Sequence, residues 1–270
     1  MKKLFSRNRR NLLAGEGDVQ PGNKNRNYLK YALGEIILVV IGILIALQIN
    51  NWNESRKQSL NAQVYYHQLI DDLNDDKEYA RFIINKFQSQ REAYNNYLEK
   101  FDTTNYTRKE MYDDLLALNS ESYAINFNLS TLESLQNSGE IVLIPPVLRN
   151  KLLDLKRKQQ KITTDESLDN QAKTAVTEHL SLLIGAYDLQ DRLKNQPALK
   201  NALQIDRNTN DIILALEGIQ AWMNFSEVKS IRLLNDLLDE IDEIEGLIEQ
   251  QIKDWLLFAA GSNDKRNASC

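Results

Sequence analysis

Hydrophobic and polar positions alternate with a helical period over most of the chain. After residue 53, apolar side chains recur at spacings of three, four and seven, with Lys, Glu, Asn and Gln between them. Such spacing gathers the apolar residues on one face of an α-helix. No Gly or Pro occurs between Gly42 and Gly139, the two residue types that most disfavour a helix interior. The pattern therefore predicts an all-α protein built from long helices.

Breaks in this pattern divide the predicted bundle into separate helices. The first helix should continue from the apolar segment, straight or bent near residues 50–53, and end near Phe101. A short helix over residues 110–118, an extended stretch over 123–129 and a short helix ending at Gly139 should follow. Ser130 and Glu133 have the spacing of a capping box for that helix. Two later helices should begin at Pro146 and Pro197, and a break at residues 163–167 could interrupt the first of them.

The last helix has the clearest pattern. Its apolar positions recur every seven residues at Leu234, Ile241, Ile248 and Trp255, with Leu237, Ile244 and Ile252 between them. This is the spacing of a coiled-coil or bundle seam, which could pack in the same chain or against a second copy. We therefore predict an elongated antiparallel helical bundle over residues 53–260. A polar, disordered tail over 261–270 should follow it.

One segment, residues 31–52, is apolar enough to cross a membrane. The twelve residues from Ile36 to Leu47 carry no polar side chain, and the whole segment is long enough for a hydrocarbon layer of about 30 Å. Tyr28 and Tyr31 at one end and Trp52 at the other match the aromatic anchors of the two membrane interfaces. A long basic region precedes the segment and no clear A-x-A site follows it, so we expect an uncleaved signal anchor.

The predicted membrane helix has a face suited to packing. Helical spacing places five residues on it: Glu35, Leu38, Gly42, Ala46 and Ile49. Gly42 and Ala46 form a small-xxx-small pair, which allows two membrane helices to approach closely. Glu35 lies in the second turn of the span. It either reaches the headgroup layer and pairs with a cation such as Lys30, or forms a polar contact or proton site facing another membrane helix.

Charge predicts the orientation of this helix. Residues 1–30 carry eight basic and two acidic side chains, a net charge of +6, which leaves −11 of the whole-chain −5 for residues 31–270. The positive-inside rule then puts residues 1–30 in the cytoplasm and everything after Trp52 across the membrane. We expect a single-pass protein of a bacterial inner membrane with a periplasmic domain. Because its one cysteine is Cys270, the domain has no internal disulfide.

Few residues suggest chemistry. Two histidines cannot form a three-histidine metal site within one chain, and the sequence has no phosphate-binding glycine loop, CxxC or nucleophile elbow. His67 and Asp71 could share a metal ion, but the acids that follow them, up to Glu78, favour a solvated acidic face. Seven acids between Leu233 and Ile252 favour an exposed face in the same way. We predict no cofactor and no enzymatic activity, and an acidic domain that does not bind nucleic acid.

The stretch KYALGEIILVVIGILIALQINNWNESRK, residues 30–57, resembles the N-terminal signature of a family of uncharacterised single-pass membrane proteins from Bacteroidota-type bacteria. FNLSTLESLQNSGEIVLI, residues 127–144, is similar to a second recurring block of that family. The resemblance implies the same membrane topology and location. It implies no activity, because the family has none assigned.

These observations favour a non-enzymatic, membrane-anchored helical protein that serves as a scaffold or binds a partner. The bilayer is one expected partner, and another protein or a second copy is the other. Two alternatives stay open. The bundle could be a periplasmic sensor of a small ligand, or the chain could be an accessory subunit of a transport or energy-coupling complex that uses Glu35.

Overall fold

The computed structural model describes residues 24–103, 105–184, 189–204 and 208–267, without the side chains of 24–31, 190–191 and 258–267. The helices are α1 (Lys24–Thr103), α2 (Arg108–Ala117), α3 (Ser130–Ser138), α4 (Pro146–Ile184), α5 (Leu189–Arg192), α6 (Pro197–Leu203) and α7 (Thr209–Asn267). A 3₁₀ helix, Glu140–Leu143, lies between α3 and α4. No strand occurs in the described ranges, so the predicted all-α fold class is confirmed.

The chain divides into two compact units, Met1–Leu60 and Asn61–Cys270. The described part of the first unit is the beginning of α1. An 18-residue window there has a mean hydropathy of 2.6, and the protein buries none of it. Over the described ranges, α1 is the one helix that is long and apolar enough to cross a membrane. The predicted span thus lies on a helix that continues into the second unit.

The second unit is held together by α7 and its contacts with α1 and α4. The ion pairs Lys77–Glu245 and Arg91–Glu227 join α1 to α7, and Lys151–Glu243 and Lys229–Asp169 join α4 to α7. In both series the residue number rises on one helix as it falls on α7, so α7 is antiparallel to both. The predicted seam of α7 faces this core, where Leu234, Leu237, Ile241, Ile244 and Ile248 are each 0% exposed. The seam therefore packs within the same chain.

Several predicted boundaries agree with the structure, and one predicted break does not occur. Gly139 follows α3 with a left-handed φ of 77°, and Pro146 begins α4. However, α4 is continuous over residues 163–167, because Glu166 in that stretch is buried among polar groups instead of marking a turn. Residues 140–143 between these helices form a 3₁₀ helix.

The predicted capping box of α3 is also absent. Its N-cap residue is Leu129, which makes no side-chain cap hydrogen bond. An aspartate on α1 occupies this helix end instead, as described below. A capping box does occur at the start of α2, where Thr107 and Glu110 satisfy each other's backbone amides. At the other end of the chain, α7 continues helically to Asn267, into the segment predicted as a tail, and residues 268–270 lie outside the described residues.

Candidate functional site

A layer of buried polar side chains divides the core of the second unit into two apolar clusters. Its members are Gln90 and Arg91 on α1, Glu166 and Lys173 on α4, and Gln220, Ser226, Glu227 and Ser230 on α7. Along α7, Ser226, Glu227 and Ser230 lie between Met223 of one cluster and Leu234 of the other, and Gln220 lies one turn before Met223. Burying charged groups costs free energy unless they are paired and hydrogen-bonded. The ion-pair and hydrogen-bond partners of each charged side chain therefore determine the role of the layer.

Arg91 and Glu227 form an ion pair between α1 and α7. Nε of Arg91 donates to Oε2 of Glu227 at 2.5 Å, and the side chains are 7% and 4% exposed. Nη1 of Arg91 donates to the carbonyl of Gln220 at 3.3 Å, and its guanidinium lies 5.5 Å from the ring centre of Tyr94. Burial raises the pKa of Glu227 to about 7, against the opposing effect of Arg91. Desolvation thus raises the pKa of Glu227 more than the ion pair with Arg91 lowers it.

Glu166 and Lys173 extend the layer across α4. The hydroxyl of Ser230 donates to Oε2 of Glu166 at 2.6 Å. Burial raises the pKa of Glu166 and lowers the pKa of Lys173, because desolvation disfavours the charged form of each. Two acids and two bases are therefore enclosed together, and their formal charges balance.

Side chains of the layer, together with Asn170 and Tyr79, hold an irregular segment, residues 119–124, against the bundle. Its carbonyls accept hydrogen bonds from Gln220 (to Asn119, 3.5 Å), Lys173 (to Ser120, 2.9 Å), Gln90 (to Glu121, 3.1 Å), Asn170 (to Tyr123, 3.0 Å) and Tyr79 (to Ala124). Backbone groups outside helices and sheets need such partners when they are buried. Side chains from all three long helices supply them, which gives the polar core a structural role.

Two aspartates on α1 anchor residues 128–131, which follow this segment. Asp72 accepts the backbone amide of Thr131 at 2.9 Å, at the N-terminus of α3, where a carboxylate is favourable. Asp76 accepts the amide of Asn128 at 2.6 Å and the side-chain amide of Gln159 at 2.6 Å. Asp76 is 3% exposed, and burial raises its pKa to about 6.

The prediction of a solvated acidic face was therefore wrong for these two aspartates. They point inward because the segment 128–131 offers backbone donors that only a folded chain brings to α1. His67, Asp71 and Asp75 are exposed, as predicted for the rest of the face. Within the described ranges, no group of three or more His, Cys, Asp or Glu residues is placed to hold a metal ion.

A small cavity lies beside the buried polar layer, lined by Glu166, Lys173, Trp222 and Glu227 among others. Its volume is about 10 Å³, which is close to the space of a single water molecule. Nη2 of Arg91 and the Oε1 atoms of Gln90 and Gln220 are buried without a hydrogen-bond partner among the described residues. This cavity thus has room for about one water molecule.

The outer face of α7 carries a second feature, which sequence reasoning missed. Five exposed residues at spacings of four, three, four and three form what we call the outer stripe: Leu214, Gly218, Ala221, Phe225 and Val228. Leu214, Phe225 and Val228 are 69%, 67% and 55% exposed. Over the same turns the inner face of α7 is buried in the core. The stripe is about 21 Å long at 1.5 Å per residue.

The predicted membrane-helix face lies on α1 in the first unit. Glu35, Leu38, Gly42, Ala46 and Ile49 are all exposed there, and a Cβ atom at Gly42 would meet nothing within 4 Å. What packs against this face stays a prediction.

The predicted interface aromatics lie on the same helix. Trp52 is 58% exposed. Tyr28 and Tyr31 also belong to α1, but their side chains lie outside the described residues. Their role at a membrane interface stays a prediction.

The acids predicted to form an exposed face on α7 have a further role. Asp242 and Glu245 lie 2.7 and 2.6 Å from the ammonium group of Lys77. Lys158 approaches Glu240 at 2.5 Å on the side of α4. These acids therefore lie at the margins of the helix contacts, where they pair with lysines of α1 and α4.

A sequence signal for the buried polar layer exists. Counting back from Leu234 by four, three and four residues, the seam of α7 passes through Ser230, Glu227 and Met223. Polar residues at seam positions indicate a polar core layer. The heptad pattern is entirely apolar only from Leu234 onward.

These features define an all-helical protein with one candidate membrane span and a polar layer in its core. Residues 35–155 match the model of a family of unknown function, DUF6090. The match contains the second resembling block, residues 127–144, and residues 35–57 of the first, whereas α7 lies outside it. No curated protein matches the chain, and no solved structure matches it.

Proposed function

We propose that this protein is a non-enzymatic, membrane-anchored scaffold that binds a helix of a partner protein along the outer stripe of α7. One observation carries the proposal: over residues 214–228, the outer face of α7 carries a row of exposed apolar residues, although the opposite face is the one buried in the core. A helix that packs on one side only normally carries polar residues on its opposite face. A contiguous exposed apolar surface marks an interaction site more often than scattered apolar residues do.

The shape of the outer stripe favours a helical occupant. Its 4-3-4-3 spacing is that of positions which pack knobs into holes against a second helix. The small residues Gly218 and Ala221 leave shallow depressions in the helix surface beside the larger Phe225 and Val228. A Cβ atom at Gly218 would meet nothing within 4 Å. We therefore expect an amphipathic helix with apolar residues at the same spacing.

The remaining parts of the proposal concern location. The candidate span in α1 has a mean hydropathy of 2.6, and the +6 charge of residues 1–30 favours a cytoplasmic N-terminus by the positive-inside rule. The second unit then faces the periplasm from a bacterial inner membrane. Anchoring would hold the outer stripe near the partners of that membrane.

Photo-cross-linking in native membranes tests the proposal. A photoreactive amino acid replaces Phe225 in the full-length chain, and a matched control replaces Glu178, an exposed residue of α4. We expect a discrete adduct from position 225 and none from 178. The additional substitution Leu214→Glu should abolish the adduct without lowering the melting temperature, because Leu214 is 69% exposed.

Each outcome is decisive. An adduct with another protein identifies the partner, and an adduct with the same chain identifies a second copy as the occupant. Equal adducts from both positions, or none from position 225, would contradict the proposal.

A further inference from the structure

The C-terminal part of α7 changes character after Ile248. The seam is fully buried up to that residue, whereas Leu256 and Leu257 are 54% and 65% exposed. Residues 255–260 read WLLFAA, six apolar residues in succession. This end of α7 therefore exposes large apolar side chains where the seam before it buries them.

Another element adds apolar surface at the same end of the second unit. The antiparallel register set by Lys77 with Asp242 and Glu245 places Val64 of α1 level with Leu256. Val64 is 56% exposed. Exposed large apolar side chains of α1 and α7 thus lie at one level of the bundle.

The 3₁₀ helix reaches this end as well. The hydroxyl of Tyr65 donates to Glu140, which ties the 3₁₀ helix to the first turns of α1 in the unit. Val142 of the 3₁₀ helix is 69% exposed. Together, Val64, Val142, Leu256 and Leu257 form what we call the apolar tip.

We propose that the apolar tip rests in the interface of the lipid bilayer that α1 spans, an inference that depends on the membrane anchoring proposed above. The short chain segment between the membrane span and the second unit favours the bilayer as the surface that the apolar tip contacts. Eight residues, 53–60, separate Trp52 from the start of the second unit at Asn61. These residues are helical, and the twelve residues from Trp52 to Val64 of the tip rise about 18 Å along α1. The chain itself keeps the tip close to the membrane surface.

The composition of the tip agrees with this occupant. Trp255 begins the apolar run of α7 and is partly buried. Tryptophan is enriched at membrane interfaces because its ring is largely apolar and its N–H can still be hydrated. A bilayer interface would receive apolar side chains from α1, α7 and the 3₁₀ helix together, whereas a single partner helix could line only one row of them.

Lipid quenching tests this inference on the full-length protein in nanodiscs. In a Cys270→Ser background, Leu257→Cys carries an environment-sensitive fluorophore, and brominated phospholipids serve as the quencher. The matched control is Leu182→Cys on α4, which is 83% exposed. It lies two residues from Leu180, which packs in the cluster of Ile212 at the beginning of α7. We expect loss of fluorescence at position 257 and none at 182.

A second labelling position tests whether quenching at position 257 is only a local effect of the fluorophore. With the fluorophore at Val142→Cys, the paired change Leu256→Glu and Leu257→Glu should reduce quenching, because a charged tip would leave the interface. Unchanged quenching at 142 would show that the elements do not dock together and would overturn the inference.

Resistance to alkaline extraction separates the two proposals. If the protein resists extraction and position 257 is unquenched, the tip does not dock and the anchoring stands. If position 257 instead cross-links to a second copy, the tip is a self-contact and the inference is wrong. If the protein is extracted, the anchoring fails and the inference fails with it.

Discussion

Arg91 on α1 and Glu227 on α7 are joined inside the core by an ion pair of 2.5 Å. The pair lies between two apolar clusters, next to Glu166 and Lys173 of α4 in the buried polar layer. Burying a charge pair adds little net stability, but removing one partner leaves an uncompensated charge. Because the four charges belong to three helices, we expect the layer to fix the register of the bundle more than its stability.

Removing one member of this pair should be more harmful than removing both. At pH 8, above the pKa of about 7 of Glu227, we expect Arg91→Met to lower the free energy of unfolding by about 3–5 kcal/mol. The double variant Arg91→Met with Glu227→Leu should recover most of that loss, because no unpaired charge remains. Denaturant titration of the full chain in detergent measures both. As a control, Lys109→Met removes an exposed pair with Asp113 and should change little. Strictly additive losses would contradict this account.

Stability should fall as the pH rises from about 4.5 to about 7, and Glu227 should account for much of the fall. Its pKa rises from an ordinary 4.5 to about 7 on folding, so the native state keeps a proton that the unfolded state has released. The stabilisation from such a group is fully present below the pKa of the unfolded state. It is lost as the pH rises through the pKa of the folded state. The total is about 3 kcal/mol at about 1.4 kcal/mol per pKa unit.

Unfolding titrations at pH 5, 6, 7 and 8 check this dependence. Glu227→Gln should flatten the curve over this range, because its side chain does not titrate. Glu178→Gln, at an exposed position on α4, should leave the curve as it is. An unchanged slope in Glu227→Gln would argue against the assignment. Asp76 should add a second dependence of the same sign between 3.8 and about 6.

Asp72→Ala should loosen the start of α3. The substitution removes the acceptor of the Thr131 amide, and loss of such a cap typically costs about 0.5–2 kcal/mol. Hydrogen exchange should accelerate at residues 131–135 in particular. Asp75→Ala is the matched control, because Asp75 is an exposed aspartate of the same helix. Equal effects from both variants would mean that position on α1, and not the cap, is responsible.

Two glycines should respond to alanine with opposite signs. Gly139 has a φ of 77° and open space around its Cα, so Gly139→Ala should lose about 1–2 kcal/mol from left-handed backbone strain. Gly218 lies inside α7 with open space as well, so Gly218→Ala should gain about 0.5–1 kcal/mol. Thermal unfolding in detergent measures both. A gain at Gly139 would contradict its left-handed conformation in solution.

Features that depend on neighbouring residues in the chain could be predicted. The long helices, the candidate span, the end of α3 at Gly139 and the start of α4 at Pro146 follow from hydrophobic period and backbone preference, which act over a few residues. The seam from Leu234 to Ile248 was predicted for the same reason, although its partner helices were left open.

Features that depend on distant partners were decided by tertiary structure. Asp72 and Asp75 are the same residue type three positions apart, yet only Asp72 meets the backbone donors of residues 128–131. Glu166 lies in a stretch that resembles a helix break, but Ser230 on α7 gives its carboxylate a buried partner. Whether a polar side chain is buried depends on which hydrogen-bonding groups other helices bring to it. That information is spread over residues far apart in the chain, and no local pattern contains it.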